Sequence, residues 1–145
     1  YQIPVIGILH VNLTGIGTDS FRPESGHVQF MDWLPPVDQT FKKSVHNALT
    51  DSGLLEYLRQ QNITDLTISG MRTEQCCETT TRVASDLGFK VNFVTDATLT
   101  FTMNHANGTV YSTDDIKKRT ELVLANRFAN IASVDDMIQL WKIPE

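Results

Sequence analysis

Apolar and polar positions along this chain follow a rhythm that switches between the strand and helix periods. Val5-Ile-Gly-Ile-Leu-His10-Val is a nearly continuous apolar run, which predicts a buried parallel strand over residues 3–11. Residues 12–36 are mostly polar and are broken by Gly15, Gly17, Gly26 and the pair Pro35-Pro36. They predict a loop of about 25 residues, a length uncommon in a compact domain and usually functional. Gln39–Lys43 predicts a short strand. Leu54, Leu55 and Leu58 repeat at helical spacing between a Thr50/Ser52 cap region and Asn62. Residues 65–70 predict a strand, 74–87 a helix closed by Gly88, and 90–95 another strand. Ser112-Thr113 ahead of Asp114-Asp115 predicts a capped helix running from about 114 to 126. A short strand over 128–133 and a helix over 135–141 complete the alternation.

Strands alternating with helices predict an α/β domain whose mostly parallel sheet is covered on both faces. In such sheets ligands lie at the carboxyl ends of the strands. Three places qualify: the loop after His10, the segment after Lys43, and the turn from Gly70 to Cys76. The 145 residues fit a single domain. Apolar residues at 41% and charged residues at 20% exclude a disordered or fibrous chain. The net charge of −5 leaves no basic stripe for nucleic acid. Apolar stretches such as Pro4 to Leu9 fall far short of the roughly 20 residues of a membrane helix. No charged segment precedes an apolar one in the manner of a signal peptide, and with two adjacent cysteines that cannot staple a fold a reducing, cytoplasmic setting is expected. The chain has no initiator Met and enters a strand almost at once, so it is expected to be part of a longer protein.

Cys76 and Cys77 are the two cysteines and cannot staple a fold, because neighbours close only a strained ring. Gly70-Met-Arg-Thr-Glu-Gln-Cys76 is the most informative segment. Gly70 closes a strand, Thr73 is a candidate N-cap, and Cys76 falls near the third helical position. Backbone N–H groups there favour an anion, and the thiolate is the nucleophilic form of cysteine. The same groups suit an oxyanion developing on an attacked carbonyl. The alternative is that both cysteines are small buried hydrophobes. Cys77 turns about 100° away from Cys76 and reads as packing. Lys42 and Lys43 end a strand, where a lysine aimed at the cleft would stabilise a thiolate or oxyanion; ordinary surface lysines are the commoner case. His10, His27, His46 and His105 are scattered and form no metal-ligand spacing, so no metal is expected. The adjacent cysteines do not match C-x-x-C, Gly15-Ile-Gly17 lacks a third glycine, and no G-x-S-x-G occurs.

Lys43-x-x-x-Asn47-Ala-Leu, Leu54-x-x-x-Leu58, Leu66-Thr-Ile-Ser-Gly-Met-Arg-Thr-Glu-Gln-Cys76, Thr79-Thr80-x-x-x-Ala84-x-x-x-Gly88-Phe-x-Val and Val94-Thr-Asp96-Ala97 follow one another along the chain. In that order they resemble the isochorismatase-like cysteine hydrolases, over essentially the whole chain. Asp114-Asp-Ile-x-x-Arg119-Thr and Phe128-Ala129 also look like members of that family. The resemblance implies a Rossmann-like, three-layer α/β/α domain and an Asp–Lys–Cys triad. Cys76 is then the nucleophile and Lys43 the triad lysine. A cis peptide falls at Met71–Arg72, and the backbone N–H groups of Arg72 and Cys76 form the oxyanion hole. The family's aspartate lies on a first, central strand in a segment like Asp-x-Gln-x-x-Phe, which this chain lacks. The opening strand resembles the family's second one. One strand and its crossover helix, on the order of 30–45 residues, are therefore expected to lie upstream or to come from another chain.

The expected function is a cofactor-free cysteine hydrolase acting on a small amide, carbamoyl or related C–N substrate. The thiol favours acyl chemistry over vinyl-ether hydrolysis. Leu9-His-Val-Asn-Leu-Thr lacks the D-x-H pair of metal-dependent nicotinamidases. Phe21, Phe30 and Trp33 in the long loop line the pocket or, at equal weight, a subunit contact. A homo-oligomer is implied by the resemblance, with a small molecule as the other partner and neither nucleic acid nor membrane. Two other readings compete: a catalytically silent binding or scaffold protein on the same fold, and a thiol sensor using the paired cysteines.

Overall fold

A computed structural model describes residues 3–14 and 19–142. The chain divides into two compact units, Tyr1–Gln61 and Asn62–Glu145. Gly15, Gly17 and the residues between and beside them, at 15–18, lie outside the described residues.

In the first unit β1 (Ile6–His10) pairs in parallel with β2 (Gln39–Lys43), from Ile6 opposite Gln39 to His10 opposite Lys43. β1 is shorter than the apolar run predicts. At its start the Asp38 carboxylate accepts the Val5 N–H at 2.7 Å, and the Asp38 N–H returns to the Val5 carbonyl at 2.8 Å. Among the described residues β1 has a ladder partner on one edge only. Accordingly only Gly7 of the strand is fully buried, where the run predicted burial throughout.

α1 (Leu54–Gln60) buries Leu54 and Leu58, while Leu55, the third leucine of the predicted spacing, is half-buried. Gly53 is its N-cap, and from the expected cap region the Ser52 hydroxyl accepts the Leu54 N–H at 3.1 Å. Tyr57 of this helix rests on Phe41 of β2 with ring centroids 5.4 Å apart. The described part of the long loop holds one short 3₁₀ turn, Pro23–Ser25. Phe30 packs so closely on Gly7 that a Cβ there would lie 2.3 Å from its ring, so glycine is required for that approach. Trp33 is 75% exposed.

In the second unit β3 (Asp65–Met71), β4 (Lys90–Leu99) and β7 (Asn130–Ala132) form a parallel sheet in the order β3-β4-β7. β4 is the middle strand, and both faces of it are buried. Phe93 and Val94 point to opposite sides, as neighbours on a strand must, and both are buried. Val94 packs with Ala132 and with Met137 of α4 (Val134–Trp141). α2 (Glu78–Asp86) lies against β4 and against α3 (Thr113–Leu124). α3 and α4 each begin with a full capping box, Ser112 with Asp115 and Ser133 with Asp136. A small antiparallel hairpin, β5 (Met103–Asn104) with β6 (Val110–Tyr111), surrounds Asn107-Gly108. The sequence shows only its turn, because two exposed residues per strand leave no alternation to read. Among the described residues no helix is long and apolar enough to cross a membrane.

Two features of β4 bear on the site. It runs to Leu99, four residues past its predicted end, and its register with β3 breaks between Ile68, opposite Phe93, and Gly70, opposite Thr98. Irregularities of this kind re-aim side chains next to functional sites.

Candidate functional site

Lys43 ends β2 and is 5% exposed, whereas Lys42 beside it is exposed. Neighbours on a strand face opposite ways, so only one of the two turns inward. The Lys43 ammonium donates to the Val45 carbonyl at 2.9 Å and to His10 Nδ1 at 3.0 Å. His10 and Lys43 are register partners at the carboxyl ends of their strands. Phe21 from the long loop meets the His10 ring edge-on, with centroids 5.0 Å apart. His27 and His46 are exposed, and His105 belongs to the hairpin, where its Nδ1 accepts the Asn107 N–H at 3.2 Å.

The cysteine segment is built at the carboxyl end of β3. Gly70 enters it at φ 115°, a backbone conformation that side-chain-bearing residues rarely adopt. The Met71–Arg72 peptide bond is cis. Residues Thr73–Cys77 then form a π-helical turn instead of the first turn of an α-helix, and α2 proper begins at Glu78. The Arg72 carbonyl accepts from the Gln75 and Cys77 N–H groups, both at 3.2 Å. Single π turns of this kind are frequent at functional sites. Cys76 sits partly exposed in the turn, and Cys77 is buried with its Sγ 3.9 Å from the Ser69 carbonyl oxygen. Thr73 is not the N-cap that its position suggested. Its buried hydroxyl instead donates to Thr98 Oγ1 at 2.8 Å, and Thr98 donates to the Thr95 carbonyl at 2.8 Å.

A second tie runs beside the first. Thr100 donates to Glu74 Oε2 at 2.6 Å, and Glu74 Oε1 pairs with the Arg72 guanidinium at 2.9 Å. That guanidinium also lies over the Phe101 ring, 5.3 Å from its centroid. Thr98 and Thr100 are two apart on the extended chain, so both can face the turn that carries Cys76. The register break places them there. Thr98→Val removes the acceptor for Thr73 and the donor to Thr95, stranding two buried polar groups. It is expected to cost about 1–3 kcal/mol, read by thermal or denaturant unfolding.

Behind the turn, Glu78 is buried and takes Arg82 through Nε and Nη2 at 3.1 and 3.0 Å, together with Arg119 of α3. Arg82 and Arg127 both lie over the Phe128 ring. Arg119 and, through Arg82, Phe128 thus hold Glu78, the residue that follows the cysteine turn. Asp96 accepts the first N–H of α4 and is also structural. Among the described residues no three His, Cys, Asp or Glu side chains gather as a metal-binding set.

A model of the isochorismatase domain matches residues 1–130. The chain belongs to the isochorismatase family. The isochorismatase family protein YrdC of Bacillus subtilis, described as uncharacterized, is 31% identical over 120 residues, spanning 81% of this chain and 64% of that protein. Nicotinamidase 3 of Arabidopsis thaliana is 36% identical over 94 residues, spanning 59% of this chain and 48% of that protein. The chain thus spans less than two thirds of the length of either relative. Among solved structures, a cysteine hydrolase from Pseudomonas syringae superposes with a TM-score of 0.85 at 19% identity, over 95% of this chain and 71% of that one, a likeness of fold. The isochorismatase-like α/β fold expected from the order of elements is therefore the fold of this chain.

Within this isochorismatase-family fold, sequence reasoning missed His10 as the partner of Lys43 and the Thr98–Thr100 pair as the support of the cysteine turn. The available signal for the second was polar residues recurring at a spacing of two just after a buried strand.

Proposed function

We propose that this protein is a cysteine hydrolase that cleaves a small amide, carbamoyl or related non-peptide C–N bond. The observation that carries the reading is Cys76, partly exposed in a π turn whose Thr73 and Glu74 are tied to Thr98 of β4 and to Thr100 just beyond it. The likeness to a nicotinamidase supports amide chemistry. Cys76 Sγ attacks the carbonyl carbon, and the backbone N–H groups of Arg72 and Cys76 take the resulting oxyanion. The C–N bond breaks as the amine leaves with a proton, giving a thioester. Water then attacks the thioester, releasing the acid and restoring the thiol. Lys43 stabilises negative charge in this sequence, and no residue of the chain is assigned to the triad aspartate, the general base and acid. A reducing, cytoplasmic setting is part of the same reading, as two adjacent cysteines cannot staple a fold. We further propose that copies associate into a homo-oligomer, which sedimentation of the purified protein tests.

The test is a panel of small primary amides and N-carbamoyl compounds incubated with the full-length protein while ammonia or amine release is followed. Release from at least one class, absent in Cys76→Ala, is expected. A folded protein that releases none but binds panel members would favour a silent binding protein.

A further inference from the structure

His10 is the residue outside the expected triad that the geometry ties most directly to it. An ammonium group has three donors and no acceptor. In the 3.0 Å contact with Lys43 Nζ, His10 Nδ1 must therefore supply a lone pair, which puts the ring proton on Nε2. The ring is held in place by its register position opposite Lys43 and by the edge of Phe21. We propose that neutral His10 is a positioning residue for Lys43, fixing the ammonium at the carboxyl ends of β1 and β2, and that protonation of His10 releases it and switches the enzyme off in acid. The inference rests on Lys43 acting in the hydrolysis proposed above.

The charged surroundings favour a neutral ring. Burial lowers the His10 pKa most, followed by repulsion from Lys43 and from His46. Asp19, which also takes Asn12 and faces Arg22, opposes this, as does the Val45 carbonyl. The folded chain thus binds this proton less readily than the unfolded one. The contact holds above the ordinary histidine value of about 6.5 and weakens as pH falls from there through the lowered one.

Two measurements on the full-length protein test this. Nitrogen-15 NMR of the imidazole should show the Nε2–H form at neutral pH, and Lys43→Met should move the His10 titration back toward the ordinary value. An Nδ1–H form, or a titration unmoved by Lys43→Met, overturns the proposal whether or not the protein hydrolyses amides. In kinetics, His10→Asn should lower kcat/KM about tenfold at neutral pH and remove the acid limb of its pH profile. An acid limb unchanged in position, in a variant whose Cys76-dependent hydrolysis persists, overturns the role of His10 while leaving the hydrolase reading intact.

Discussion

Replacing Cys76 with alanine should lower turnover by about 10⁴-fold or more while leaving the melting temperature close to that of the parent. A covalent nucleophile has no substitute in its own mechanism, and losses of this order follow when one is removed. Cys76 is only partly buried in a turn whose hold comes from other side chains, Thr73 on Thr98 and Glu74 on Thr100. Losing its sulfur therefore removes little packing. Cys77 provides the internal control. It is buried against the end of β3, so Cys77→Ala should cost about 1 kcal/mol of stability and leave most of the activity. Steady-state rates and thermal melts of the two variants, measured side by side, check both halves. Equal loss of activity in both with unchanged melting would contradict the assignment of roles.

The largest loss of stability is expected from Phe93→Ala, at about 3–5 kcal/mol. Phe93 has no exposed surface and lies in the middle strand of the three, opposite Ile68 on β3 and Ile131 on β7. Alanine there leaves a cavity that flanking ladders, fixed by their own hydrogen bonds, cannot close. Against a typical total of about 5–15 kcal/mol, such a loss should lower the melting temperature by roughly 10 °C. Leu140→Ala, on an exposed part of α4, should change stability by no more than about 0.5 kcal/mol. A Phe93→Ala variant that unfolds within 1 kcal/mol of the parent, by the approximate precision of denaturant curves, would place the core elsewhere.

Much of this architecture could be read from the chain. Gln39–Lys43 is a strand with the predicted bounds, and Ser112 begins its helix because it precedes an aspartate that completes a box, whereas Ser133, read as the end of a strand, turns out to cap α4 in the same way. Where the reading slipped, tertiary structure had overridden local pattern. Residues 3–5 carry apolar side chains yet leave the strand, because Asp38 takes over the hydrogen bonds of Val5. Thr73 looks like an N-cap but spends its hydroxyl on Thr98, twenty-five positions away. No periodicity announces that pairing or the π turn.

The candidate site was legible unevenly for the same reason. Cys76 stands out by its place after a strand and a glycine. Lys43 was preferred over Lys42 through a family resemblance, and burial of one and exposure of the other now give a physical reason for that preference. His10 could be noticed only as a strand-end residue, since its contact with Lys43 spans thirty-three positions.

The central claim is that Cys76 forms a thioester with the acyl part of its substrate. The most direct test is rapid acid quenching of the full-length protein during turnover of a panel amide, followed by intact-mass and peptide mass spectrometry. The account predicts a mass increase equal to the acyl group, confined to the peptide position of Cys76 and removed by hydroxylamine. Turnover that persists in Cys76→Ala, with no acyl adduct on the parent protein, would contradict it.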